Sequence, residues 1–318
     1  MAIGTLIEQS LYQAQRLATP MLHTGKVASY IPELEKAPLS HLGACVMTVR
    51  GECFCVGDWQ HRFTLQSISK TITLIFALQL VGADELFSKI GVEPTGDAFN
   101  SLVRLETTKP NHPYNPMINA GAIVASSYCV ANSENAFEAF LKLTRKLCNN
   151  EEVGIDQNVY KSEEETGHRN RSIAYLLQAE GVLKCNTNEA LDFYFKTCST
   201  LVNSKDLAHF ACALANNGKS PQTGEILLES WVARIVKTIM LTCGMYEASG
   251  RFAMKAGIPA KSGVGGGIMA CAENMLGIAT YGPALDPEFS SVGGSIIIEY
   301  LSKELGLHLF GGNIFYNS

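Results

Sequence analysis

The chain has 318 residues, 47% of them hydrophobic and 17% charged, with a net charge of −5 and a pI near 5.8. These values are ordinary for a globular protein and exclude disordered or low-complexity readings. No Lys/Arg cluster stands out, so nothing invites nucleic acid or an anionic membrane surface.

Ile3, Leu6, Ile7, Leu11, Ala14 and Leu17 recur at helical spacing and predict an amphipathic first helix. No basic residue precedes this start and Glu8 interrupts it, so it does not read as a signal peptide and a cytoplasmic address is expected. Residues 42–48 and 53–56 read as strands of a hairpin turning at Arg50-Gly51-Glu52. Ser67 opens a long apolar segment that predicts a buried central helix ending at Gly82. Its longest apolar run, residues 72–81, is too short for the roughly 18 apolar residues of a membrane span.

From residue 84 to about 237 the pattern is helical, broken by polar loops such as the Pro- and Asn-rich residues 109–116. Asn170 reads as the cap of a helix running to Gln178, and Asn203 as the cap of another that stops before Asn217-Gly218. The tail changes character. Residues 252–254, 258–261, 268–271 and 276–281 are short apolar runs separated by glycine, which read as antiparallel strands, and residues 290–305 close the chain as a helix. The expected fold is therefore α/β: an antiparallel sheet flanked by helices, built from residues 1–64 and 240–318, plus an all-helical domain over 65–239.

Ten cysteines include no CxxC, and no histidine sits at zinc spacing, so neither a metal nor a cofactor is expected. Most lie in apolar contexts and read as buried reduced thiols. Cys53 and Cys55 fall two apart on one strand, hence on one face.

Ser67-Ile68-Ser69-Lys70 is an S-x-x-K motif at the start of a helix. Three residues make about one turn, so hydroxyl and amine share a face. The Ser67 amide, in the first helical turn, is a donor in a positive field that can steady an oxyanion. A neutral lysine can take the serine proton, which requires burial or nearby positive charge to lower its pKa by roughly 3 units. Alone the motif is weak, since a chain of this size holds about one by chance and a capping serine with a solvated lysine explains it. Lys261-Ser262-Gly263 adds weight. A K-[ST]-G strand after an S-x-x-K helix is the arrangement of serine β-lactamases and penicillin-binding proteins, and the next amide, Val264, can supply a second oxyanion donor. Residues 115–121 and the acidic residues 162–167 read, by themselves, as helix caps and a solvated loop.

Five segments together resemble the serine-dependent glutaminase family, with its β-lactamase-like fold. They are residues 27–32 (VASYIP), 65–70 (LQSISK), 115–123 (NPMINAGAI), 243–246 (CGMY) and 260–267 (AKSGVGGG). The resemblance implies hydrolysis of L-glutamine to L-glutamate and ammonia through a serine acyl-enzyme, without a cofactor, by a homodimer or homotetramer. It implies Ser67 as nucleophile, with Lys70, Tyr246 and Lys261 as its catalytic partners, and Ser67 and Val264 amides holding the oxyanion. For the amino-acid end of the substrate it implies Glu163 opposite the ammonium, with Asn119, Asn170, Tyr194, Tyr30 and Gln66 in polar contact. His168 stands where an aspartate is common, without a role. The alternatives are another S-x-x-K acyl-transfer enzyme of the β-lactamase or penicillin-binding type, and a non-catalytic amino-acid-binding relative. The first lacks a convincing S-x-N or Y-x-N here, and the second would not need Ser67, Lys70, Tyr246 and Lys261 together.

Overall fold

The computed structural model describes residues 3–96, 98–101 and 112–311. In chain order the elements are α1 (Ile3–Ala18), β1 (Gly43–Thr48), β2 (Cys53–Gly57), β3 (Phe63–Thr64), α2 (Ser69–Phe87), α3 (Asn119–Ala131), α4 (Ala136–Cys148), β4 (Gly154–Ile155), α5 (Gln157–Thr166), α6 (His168–Ala179), α7 (Thr187–Cys198), β5 (Thr200–Val202), α8 (Ser204–Ala215), α9 (Ser230–Cys243), α10 (Ser249–Lys255), β6 (Ala260–Ser262), β7 (Gly267–Ala272), β8 (Leu276–Tyr281) and α11 (Val292–Glu304).

The main sheet is antiparallel, in the order β2-β1-β8-β7-β6. Strands β1, β7 and β8 are buried at every position because both faces are covered. Ala44, Val46, Ile268, Ala270 and Ile278 share one core with Ile7, Leu11 and Ala14 of α1 and Ile297, Ile298 and Leu301 of α11. Cys45, Met47, Met269, Cys271 and Ala279 point the other way and share a core with α8. Period-two alternation decides which core each residue joins, so a run that is apolar throughout still sorts into two layers.

The second core extends from α8 through α2, α3, α7 and α9. Helix α2 is buried from Ser69 to Leu78, as its nearly all-round apolar surface predicts. A small three-stranded sheet, β3-β5-β4, brings Thr64 beside Leu201 and leads the chain into the turn that carries Ser67.

Several sequence expectations change. Gly82 has φ +78 but only kinks α2, and helical turns resume to Phe87. Residues 252–254 lie in α10 rather than in a strand, since three apolar residues carry no period of their own. The acidic residues 162–166 form the end of α5, not a solvated loop. Asn170 sits inside the first turn of α6, whereas Asn203 does cap α8, in a capping box with Asp206. Of the polar stretch 109–116, residues 109–111 lie outside the described residues. Cys45 and Cys55 are joined as a disulfide, against the expectation of reduced thiols, because they are directly opposed in the β1–β2 ladder. Among the described residues no helix is long and apolar enough to cross a membrane.

Candidate active site

Ser67 lies in a short 3₁₀ turn, Gln66–Ile68, that runs directly into α2. Gln66 has φ +47, a left-handed conformation unusual for a residue with a side chain and one that concentrates at functional sites. The turn aims Ser67 and Gln66 into a cavity of about 80 Å³, several times the space one water needs. Tyr30, Asn119, Glu163, Asn170 and Tyr194 line the same cavity, so seven of the predicted site residues meet there.

Lys70 stands behind Ser67 on the next turn of α2. Its Nζ is 2.8 Å from Ser67 Oγ and 2.8 Å from Asn119 Oδ1. Burial, opposed by the Glu163 charge, brings its pKa down to about 8, so a sizeable fraction is neutral near physiological pH. Asn119 is the hub between the two halves of the site, because its Nδ2 donates to Asn170 Oδ1 at 2.9 Å.

Glu163 is 4% exposed, and Gln66 Nε2 donates to its Oε1 at 2.9 Å. Burial pushes this carboxyl up to about 7, while the Gln66 hydrogen bond and the Lys70 charge pull it down. A carboxylate held at that cost, facing a cavity and, among the described residues, without a basic side chain bonded to it, suits a cationic ligand. The Tyr30 ring is half-exposed at the rim. Desolvation, then Tyr246 and Glu163, raise its hydroxyl pKa, so it is a neutral donor. Tyr194 is buried and neutral for the same first reason.

The remaining predicted residues form the wall beside Ser67. The corner Cys243-Gly244-Met245-Tyr246 packs directly on β6: a Cβ on Gly244 would lie 1.8 Å from Ala260 O. Lys261 locks that corner, donating to Gly244 O at 2.9 Å and Ser262 O at 2.6 Å, with Nζ 4.2 Å from the centroid of the Tyr246 ring. Burial, then the charge of Lys70, lower the Lys261 pKa. Tyr246 has φ +53; its hydroxyl donates to Ser262 O at 3.3 Å and lies close enough to feel the Ser67 side chain. Burial raises its pKa. The turn after β6 presses on the backbone that precedes Ser67. A Cβ on Gly263 would lie 2.7 Å from Leu65 O, and one on Gly265 2.7 Å from Thr64 O. Val264 sits between these two glycines, buried, and its amide has no hydrogen-bond partner among the described residues.

Phe99, Asn100, Thr166, Arg169 and Cys198 also line the cavity, without having been singled out as site residues. Thr166 and Cys198 were findable, each one helical turn beyond a named residue, Glu163 or Tyr194. Phe99 carries no such signal. It reaches the site through tertiary packing alone, its ring 4.8 Å from Tyr246.

A mixed α/β fold with S-x-x-K at the head of a buried helix and K-S-G on the facing strand defines the class: hydrolases of the serine β-lactamase-like fold. The family model for glutaminase matches residues 25–310. The glutaminase of Clostridium botulinum (strain Kyoto / Type A2) is 54% identical over 287 residues, 90% of this chain and 94% of that protein. Glutaminase 2 of Clostridium perfringens (strain 13 / Type A) is 50% identical over the same shares of chain and relative. A Bacillus subtilis glutaminase, solved as its covalent complex with 5-oxo-L-norleucine formed by reaction with 6-diazo-5-oxo-L-norleucine, superposes with a TM-score of 0.85 at 34% identity. The match covers 95% of this chain and 99% of that one. The chain belongs to the glutaminase family, hydrolases that release ammonia from glutamine.

Proposed function

We propose that this glutaminase works through a serine acyl-enzyme, with Ser67 as nucleophile. The observation that carries this reading is the 2.8 Å contact between Ser67 Oγ and Lys70 Nζ inside a cavity with a buried carboxylate, Glu163, among its walls. In its neutral form Lys70 accepts the serine proton, and Ser67 Oγ attacks the side-chain amide carbon of glutamine. The amides of Ser67 and Val264 hold the resulting oxyanion. Tyr246, beside Ser67, hands a proton to the departing nitrogen as the tetrahedral intermediate collapses to a glutamyl ester. Water, activated by the same Lys70–Tyr246 pair, then cleaves the ester and frees glutamate. Lys261 acts on Tyr246 by fixing the corner that carries it.

At the other end of the substrate, Glu163 pairs with the α-ammonium, which restores its charge on binding. Gln66, Asn119, Asn170, Tyr194 and Tyr30 supply neutral hydrogen bonds. That a homologous Bacillus subtilis glutaminase forms a covalent complex with 5-oxo-L-norleucine supports a nucleophilic side chain in the family's site. A cytoplasmic homodimer or homotetramer completes the reading. Tyr12, Leu17 and Met21, exposed apolar side chains on α1 and the turn after it, offer an interface, and sedimentation of the purified chain tests it. Ammonia release measured side by side with glutamine, asparagine and a chromogenic β-lactam tests the substrate assignment. Turnover confined to glutamine is expected, and β-lactam hydrolysis in its place would overturn it.

A further inference from the structure

Three sulfurs meet at the open edge of the main sheet, outside the pocket and with no part in the proposed chemistry. Cys45 and Cys55 face each other across β1 and β2 and form the disulfide. Cys53, two residues before Cys55 on the edge strand, lies on the same face, with its Sγ 3.6 Å from Cys55 Sγ. The three differ in access. Cys45 is fully buried beneath α8, Cys55 is half-buried, and Cys53 is exposed. Partial burial raises the Cys53 pKa, and the charge of Lys205, in the first turn of α8, opposes that rise.

We propose that Cys53, Cys55 and Cys45 form a thiol relay, a modification site through which low-molecular-weight disulfides reach a buried cross-strand bridge. Access to solvent sets the order of attack. A soluble disulfide cannot approach the Cys45 sulfur, whereas Cys53 is open to solvent and already touches Cys55. From the reduced state, the Cys53 thiolate attacks the external disulfide, forming a mixed disulfide and releasing one thiolate. The Cys55 thiolate attacks Cys53 Sγ and releases the second thiolate. The Cys45 thiolate then attacks Cys55 Sγ, the Cys53–Cys55 bond breaks, and Cys53 leaves as thiolate. One external disulfide has become two thiols, and two protein thiols have become the Cys45–Cys55 bridge, their protons carried by the released thiols. Cys53 and Cys55 are two residues apart on an extended strand, about 6.6 Å between Cα atoms and near the upper limit a disulfide spans. Cys45 and Cys55 are directly opposed in the ladder, 4.2 Å between Cα atoms, and this is the pair the structure joins.

The test is the rate of oxidation of the reduced full chain by oxidised glutathione, sampled by acid quench, alkylation and peptide mass mapping. Wild type is expected to acquire glutathione first on Cys53 and then the Cys45–Cys55 bridge. Cys53→Ser should form the same bridge to the same final extent, about tenfold or more slowly, with ammonia release unchanged. Cys45→Ser should stop at glutathionylated Cys53 or at a Cys53–Cys55 bond. Bridge formation by Cys53→Ser at the wild-type rate would overturn the relay, as would first modification on Cys45 or Cys55, or the absence of the bridge from oxidised wild type.

Discussion

Lys261 does not touch Ser67; it holds Tyr246, with its Nζ 4.2 Å from the centre of the tyrosine ring and two of its protons on the carbonyls of Gly244 and Ser262. The hydroxyl of that tyrosine then meets Ser67. The two roles separate by mutation. Tyr246→Phe keeps the ring over Lys261 and removes the proposed proton carrier. Its kcat for glutamine should fall about 10²–10⁴-fold while KM stays within a few fold. A kcat near wild type in steady-state ammonia assays would remove Tyr246 from the proton path.

Ser67→Ala removes one buried oxygen and no packing volume of consequence. The variant should melt within a few degrees of wild type, bind glutamine by calorimetry, and lose about 10³-fold or more of its ammonia release. Retained turnover would mean that the attacking group lies elsewhere.

Glu163 couples binding, pH and stability. Its folded pKa of about 7 lies above the ordinary 4.5, so the folded state binds more protons than the unfolded chain between those values. Stability therefore falls as pH rises through that window, and the cost is fully present above pH 7. Glu163→Gln keeps the acceptor for Gln66 but cannot ionise. It should melt about 2 °C or more above wild type at pH 8. The same change removes the proposed partner of the substrate ammonium, so KM should rise about 10- to 100-fold. Its KM should also stop depending on pH between 6 and 8, where wild-type KM falls as Glu163 ionises. An unchanged KM would place the carboxylate outside the recognition of substrate.

Lys70, with its pKa near 8, sets the other acid limb. Wild-type kcat should climb as pH rises through that value, because the neutral amine is the proposed base. The sign for stability is opposite to that of Glu163. The unfolded chain binds the extra proton between about 8 and 10.5, so this residue's contribution grows more favourable with pH there. Lys70→Met should abolish the kcat limb near 8 along with most of the activity.

Gly263→Ala tests the wall opposite Ser67. The added Cβ would meet Leu65 O at 2.7 Å and must push the Val264 turn outward. Displacement of the Val264 amide, the proposed oxyanion donor, should cost about 10²–10³-fold in kcat, and KM should move far less. Equal effects on both constants would point to a general loss of pocket shape.

Much of this site was legible in the sequence because its logic is local. Ser67 and Lys70 are one turn apart on a helix that its own apolar surface buries, and Lys261-Ser262-Gly263 is a strand running into a glycine turn. What joins these pieces is not local. The Gln66–Glu163 hydrogen bond spans 97 residues and the Lys70–Asn119 contact 49, and no spacing rule reports either. Glu163 looked solvated because its neighbours Glu164 and Glu165 are; only the helical turn of α5 separates the one buried carboxylate from the two exposed ones. The Cys45–Cys55 bridge was missed for a similar reason. The hairpin was readable, but its register, which sets the two cysteines opposite each other, was not.

The most direct test of the account is to treat the chain with 6-diazo-5-oxo-L-norleucine and locate the adduct by peptide mass mapping. One equivalent of label on Ser67, appearing in step with the loss of ammonia release and slowed by glutamine, is the predicted result. Cys198 lines the same cavity, and burial raises its thiol to about 12, which leaves it protonated and unreactive. Label on Cys198 or any other residue, or inactivation without a covalent adduct, would contradict the assignment of Ser67.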